Sequence, residues 1–238
     1  MELQVFSILG IGFVLGLRHA LDADHIIAVS TIVSERKGFW SSSIVGTLWG
    51  LGHTASLLIV GLIVIAFHFQ IPEKIALLME FAVAIMLIFL GANVLWKMKK
   101  GATFHVHTHE HDHRLHIHPH LHTVNEEAQH THHHGSAKVG KKPFFVGMVH
   151  GMAGSAALML AVLATISSRS LALLYVGIFG LGSVGGMFLM SALIGLPFSI
   201  TSRHARLNKI IRTSSGVVSV CFGLFYAWQV GVVEGLFW

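Results

Sequence analysis

The chain has 238 residues, 53% of them hydrophobic and only 11% charged, with a mean hydropathy of +0.70. A soluble domain carries about 25% charged residues, so composition excludes an ordinary soluble enzyme or binding module and points to an integral membrane protein. The net charge of +5 does not argue for nucleic acid as a partner. The basic residues flank apolar runs instead of forming a stripe, as membrane topology requires. Cys221 stands alone, so no intramolecular disulfide can form. Met1 is followed by Glu2 with no positive n-region, so no cleavable signal peptide is expected.

Six apolar runs follow in chain order, roughly 3–33, 41–67, 75–96, 144–167, 171–197 and 210–233. Each is long enough to span, since a hydrocarbon core of about 30 Å needs about 20 helical residues. The first run is longer than that and must tilt, kink or extend beyond the lipid. Its middle, GLRHALDADHI, holds Arg18, His19, Asp22, Asp24 and His25. Charged groups at that depth are costly and mark ion or proton pathways. Two imidazoles and two carboxylates also supply the nitrogen and oxygen ligands that divalent transition metals accept.

On a regular helix Arg18, His19, Asp22 and His25 share a sector of about 120°, and Asp24 points away. Arg18 and Asp22 stand at i and i+4, where an ion pair can form, and Arg18 is expected to help hold the carboxylates. If the polar stretch unwinds, His19, Asp24 and His25 are the metal candidates; if it stays helical, Asp22 is the better oxygen donor. Irregular backbone survives in a membrane only beside protein or water, and this polar stretch is where a break is expected.

In the second run His53 lies roughly 18 Å from the cytoplasmic end at 1.5 Å per residue, near the midplane. It follows Gly50 and Gly52, which let another helix approach closely. Between the third and fourth runs lie His105, His107, His109, His111, His113, His116, His118, His120, His122, His130, His132, His133 and His134. That segment is polar and low in complexity, so disorder is expected, with the imidazoles acting as an exchangeable metal buffer. The fourth run carries His150, and the second half offers otherwise only neutral donors such as Met148, Met152 and Ser155.

The halves echo each other. GLRHAL (Gly16–Leu21) matches GMVHGM (Gly147–Met152), setting His19 against His150. GLGHT (Gly50–Thr54) matches GLGSV (Gly180–Val184), and LGANVLW (Leu90–Trp96) matches FGLFYAW (Phe222–Trp228). Three matches in order at a nearly constant offset indicate duplication. Three spans per half is an odd number, so the second half must enter the membrane inverted. Such repeats belong to transporters and put the substrate at the interface of the halves. The expected organisation is a first three-helix repeat over 1–97, a His-rich cytoplasmic loop over 98–143 and an inverted repeat over 144–238.

Lys and Arg set the orientation. The loops after the first, third and fifth runs carry Arg36, Lys37, Lys97, Lys99, Lys100, Arg114, Lys138, Lys141, Lys142, Arg203, Arg206, Lys209 and Arg212, against only Lys74 and Arg169 on the other side. The fold class expected is an all-α integral membrane protein of six spans, with both termini outside and the histidine loop in the cytoplasm.

At RHALDADHI the chain resembles the nickel/cobalt transporter family, whose signature is His, four residues, then Asp-His on one helix: here His19, Asp24 and His25. Gly52-His53-Thr54 resembles the family's second motif. The six-span length, the histidine loop and GMVHGMAGSAAL resemble still more the short urease accessory UreH-like branch. The chain departs from the eight-span members in lacking a helix before the motif, and from the longer members in having no acid in a later helix. His150 as a further ligand rests on the repeat and not on the family.

The resemblance implies an inner-membrane, multi-pass permease moving Ni2+, with Co2+ as the alternative cargo, for a nickel enzyme such as urease. The partners implied are the divalent ion, the lipid bilayer and a metallochaperone at the histidine loop. No nucleic acid and no organic cofactor are expected, and neither a GxxxxGK[ST] loop nor an HExxH motif occurs. Efflux of the same metals is the alternative, and an intramembrane metallohydrolase a more distant one.

Overall fold

The computed structural model describes residues 2–36, 38–67, 71–100, 103–111, 114–122, 140–153 and 168–238. The membrane portion is helical: α1 (Glu2–His19), α2 (Ala23–Val33), α3 (Phe39–Phe67), α4 (Glu73–Lys99), α5 (Lys142–Gly151), α6 (Arg169–Ile200) and α7 (Ala205–Trp228). Four of these elements are long and apolar enough to cross a membrane: α3, α4, α6 with its following turn to Arg203, and α7 extended to Val233. The pair α1–α2 adds a fifth if counted as one broken span, bent by 54°. Of the fourth expected run, 144–167, α5 covers the residues up to Gly151, and 154–167 lie outside the described residues.

Local chemistry explains the ends. Pro72 precedes α4, Glu73 lies in its first turn and Lys97 and Lys99 in its last, each sign matching the helix dipole. Pro143 opens α5 at a position whose N–H would have no partner anyway. Ser168 Oγ accepts from the Leu171 N–H at the start of α6, the usual capping bond.

Helices approach closely wherever a glycine faces a backbone. A methyl at Gly16 would meet the Phe179 carbonyl on α6, and one at Gly147 would meet the Trp49 carbonyl on α3. Gly182 lies against the Phe13 carbonyl and Gly52 against the Phe144 carbonyl. Gly91 faces Gly216 and Val220, while Gly223 faces Ala84 and Ile88. The order of contacts gives the directions: Gly12–Tyr175, Gly16–Phe179 and Ala20–Gly186 run α1 parallel to α6, and Trp49–Gly147 with His53–Gly151 run α3 parallel to α5. Gly46–Ser191 with Thr54–Gly180 and Ala84–Gly223 with Gly91–Gly216 make α3–α6 and α4–α7 antiparallel. Small residues at such crossings give the van der Waals contact on which helix association in lipid depends. Large side chains such as Phe89, Leu181, Ile200 and Trp228 point outward, as a lipid-facing surface demands.

The histidine-rich segment departs from expectation. Thr103–His111 (β1) and Arg114–His122 (β2) form an antiparallel two-stranded ladder, with Thr103 opposite His122 and His107 opposite His118. Low apolar content predicts disorder, but alternation of His with Phe, Val, Thr, Leu and Ile is a period-two pattern that suits paired strands. His113, His130, His132, His133 and His134 lie outside the described residues.

Candidate metal centre

The break between α1 and α2 builds the site. α1 ends at His19, two turn bonds (Leu21 N–H to Arg18 O, 2.8 Å; Asp22 N–H to His19 O, 3.1 Å) carry the chain through a break, and α2 restarts at Ala23. Asp22 occupies the N-cap position in extended conformation, yet its carboxylate does not cap the helix. It accepts instead from His19 Nδ1 at 2.7 Å. The 54° bend rotates Asp24 from the outward direction it would take on a continuous helix into the bundle. There Oδ1 accepts from the His25 N–H at 2.8 Å and from His25 Nδ1 at 2.9 Å. Oδ2 accepts from His150 Nε2 at 2.8 Å.

An ionised carboxylate only accepts, so the imidazole protons in these bonds sit on His19 Nδ1, His25 Nδ1 and His150 Nε2. The Nε2 lone pairs of His19 and His25 are thereby left for another partner. Among the described residues His25 Nε2 has none. His19 Nε2 lies 3.1 Å from His53 Nε2. One ligand atom from each of His19, His25 and His53 falls within 4.8 Å of the others, and the same holds for Asp24, His25 and His150. The two triads share His25. His25, His53 and His150 are at most 1% exposed, and His53 Nδ1 and His150 Nδ1 are also without partners. Buried, unpartnered imidazole nitrogens are costly; ligand atoms of His19, His25 and His53 within 4.8 Å of one another fit a divalent transition ion, with carboxylates behind the rings fixing tautomer and angle.

Each predicted site residue can now be placed. His19, Asp24, His25, His53 and His150 converge. Asp22 reaches the centre only through His19 and is itself exposed. Arg18 does not support the carboxylates: it is exposed, and among the described residues Asp22 bonds His19 instead. The reason is the break, which ends α1 before the i to i+4 spacing of Arg18 and Asp22 is completed. Ser155 lies outside the described residues.

Three residues of the site were missed in the sequence. Trp49, fully buried on α3, stacks on His25 at 6.0 Å with 11° between planes; one apolar residue among many gave no signal. Glu80 and Tyr226 line a cavity of about 350 Å³ together with His19, Asp22, Ala23, Asp24, His25, His150, Ala153 and Phe222. Glu80 carried a readable signal, a lone acid inside the third apolar run. The acids near the site therefore do not all lie on one helix.

A family model described as Cytochrome C biogenesis protein transmembrane region matches residues 7–225. The chain belongs to this family. It is a multi-pass membrane protein, and its helices carry the family's description across nearly the whole length. The chain is also 39% identical over 239 residues to a protein of Bacillus sp. (strain TB-90) named Urease accessory protein UreH, with 99% of this chain and 97% of the relative covered. That identity makes the chain a member of the relative's urease accessory family as well. No solved structure matches it.

Proposed function

We propose that the chain is a permease of the cytoplasmic membrane that takes up Ni2+, or Co2+ in its place, to supply a nickel enzyme such as urease. The observation that carries this reading is the convergence of His19, His25 and His53 within 4.8 Å, at a helix break that opens on a cavity. The name of the Bacillus relative supports the link to urease. The motifs His19…Asp24-His25 and Gly52-His53-Thr54 support membership in the nickel/cobalt transporter family.

The cargo ion takes Nε2 of His19, Nε2 of His25 and a nitrogen of His53. Asp22 and Asp24 act mainly by holding the rings, and Asp24 also offers an oxygen to an ion in the second triad. The proton that joins His19 and His53 has to leave that pair, since ligand nitrogens are deprotonated. Three neutral imidazoles with no thiolate bind firmly enough to select and weakly enough to release.

The chain works as two inverted three-helix repeats, 1–97 and 144–238, with both termini outside. Supporting this, the contacts exchange under the repeat: Gly16–Phe179 is matched by Gly147–Trp49, Gly182–Phe13 by Gly52–Phe144, and Gly91–Gly216 by Gly223–Ala84. Segment 98–143 lies in the cytoplasm, where its histidines buffer arriving metal and meet a metallochaperone.

The test is cellular nickel content at nanomolar external Ni2+, with and without the protein and with His19→Ala. A rise that the variant loses supports uptake. A fall that the variant loses makes the same site an exporter's. No change refutes nickel transport.

A further inference from the structure

Glu80 is the acid that the metal triads leave unused. Seven residues after Glu73, it sits about 10 Å along α4 at 1.5 Å per residue, inside a span that is otherwise apolar. Its Oε2 accepts from the Tyr226 hydroxyl at 3.3 Å, and among the described residues it has no cationic partner. Glu35 differs: both its oxygens take Lys97 Nζ, at 2.7 and 2.9 Å. A carboxylate at membrane depth without a counter-charge is costly and is retained where it faces water or a cation. Glu80 lines the same cavity as Asp22, Asp24, His19, His25 and His150. The alignment that sets Gly91 against Gly223 sets Arg212 against Glu80, so the second half has a cation where the first half has this acid.

We propose that Glu80, positioned by Tyr226, is the capture site for divalent cations at the mouth of this cavity, from which the ion passes to the His19–His25–His53 centre. The inference rests on the transport reading for its purpose but not for its test. One negative charge in a low-dielectric vestibule concentrates cations and raises the association rate, while the bound ion's lifetime is set by the imidazoles. Tyr226 bonds Oε2 and so holds the carboxylate at the cavity that both residues line.

The experiment is stopped-flow binding of Co2+ to the purified full-length protein in detergent, read by quenching of tryptophan fluorescence, with Trp49 as the reporter stacked on His25. The expected result is that Glu80→Gln slows association about fivefold or more at low salt, with dissociation unchanged. The difference should vanish near 1 M salt, where screening reaches about 3 Å. Glu80→Asp should restore most of the rate, and Tyr226→Phe should fall between. Unchanged association in Glu80→Gln, or a change confined to dissociation, overturns the proposal, because the residue would then be structural or a direct ligand. Binding without transport in the wild type refutes the transport reading and leaves the capture site standing. No Co2+ binding by the wild type overturns both.

Discussion

Replacing Asp24 by Asn separates the two roles that a carboxylate can have at this site. Asp24 accepts three bonds, from the His25 N–H and Nδ1 and from His150 Nε2, at 2.8, 2.9 and 2.8 Å. Asparagine keeps the shape and one acceptor oxygen, but its amide nitrogen only donates. One of the two imidazoles must therefore lose its charge-assisted bond, and the other bonds to a neutral oxygen. Each bond to a charged group contributes about 1.5–3 kcal/mol. At about 1.4 kcal/mol per decade, affinity for Co2+ or Ni2+ should fall roughly 10- to 100-fold, as removal of a partner behind a metal-bound histidine generally does. The assay is calorimetric titration of the purified protein, with elution volume and thermal unfolding as controls for folding. Affinity within twofold of wild type, in a folded variant, would refute the claim that Asp24 sets the geometry of His25 and His150.

Three further outcomes follow from the same geometry. Arg18→Ala should leave metal affinity and uptake unchanged, whereas Asp22→Asn should weaken binding several-fold by freeing the His19 ring; titration of both variants compares them. Gly16→Val and Gly147→Val should each abolish monodisperse protein on size exclusion, since each side chain would enter a backbone carbonyl of the neighbouring helix, while Gly10→Ala, with open space around it, should be tolerated. Deleting residues 105–134 should lower the efficiency of nickel accumulation and leave saturable uptake in place, read as initial rates over a concentration series.

The site was legible in the sequence where charge and apolar context disagreed. Arg18 to His25 stood out because so many ionisable groups lie in a run that must cross lipid, and the same contrast located the helix break. The choice between Asp22 and Asp24 was not legible. On a continuous helix Asp24 points outward, and only the 54° bend reverses the two. The same bend removes the Arg18–Asp22 pair that the spacing suggested. His150 was reachable solely through the internal echo of GLRHAL in GMVHGM. Trp49 had no local signal, because stacking on His25 depends on the α2–α3 crossing. Glu80 had one, an acid in an apolar run, outweighed by the denser cluster upstream. In the loop, composition pointed to disorder while the alternation of histidine with β-formers pointed to the strands.

The most direct test of the central claim is radioactive Ni2+ uptake into proteoliposomes holding the purified chain alone, with His25→Ala beside it. His25 belongs to both triads, so neither survives its loss. The account predicts saturable uptake by the wild type and none above empty liposomes by folded His25→Ala. Equal uptake by the two would contradict it.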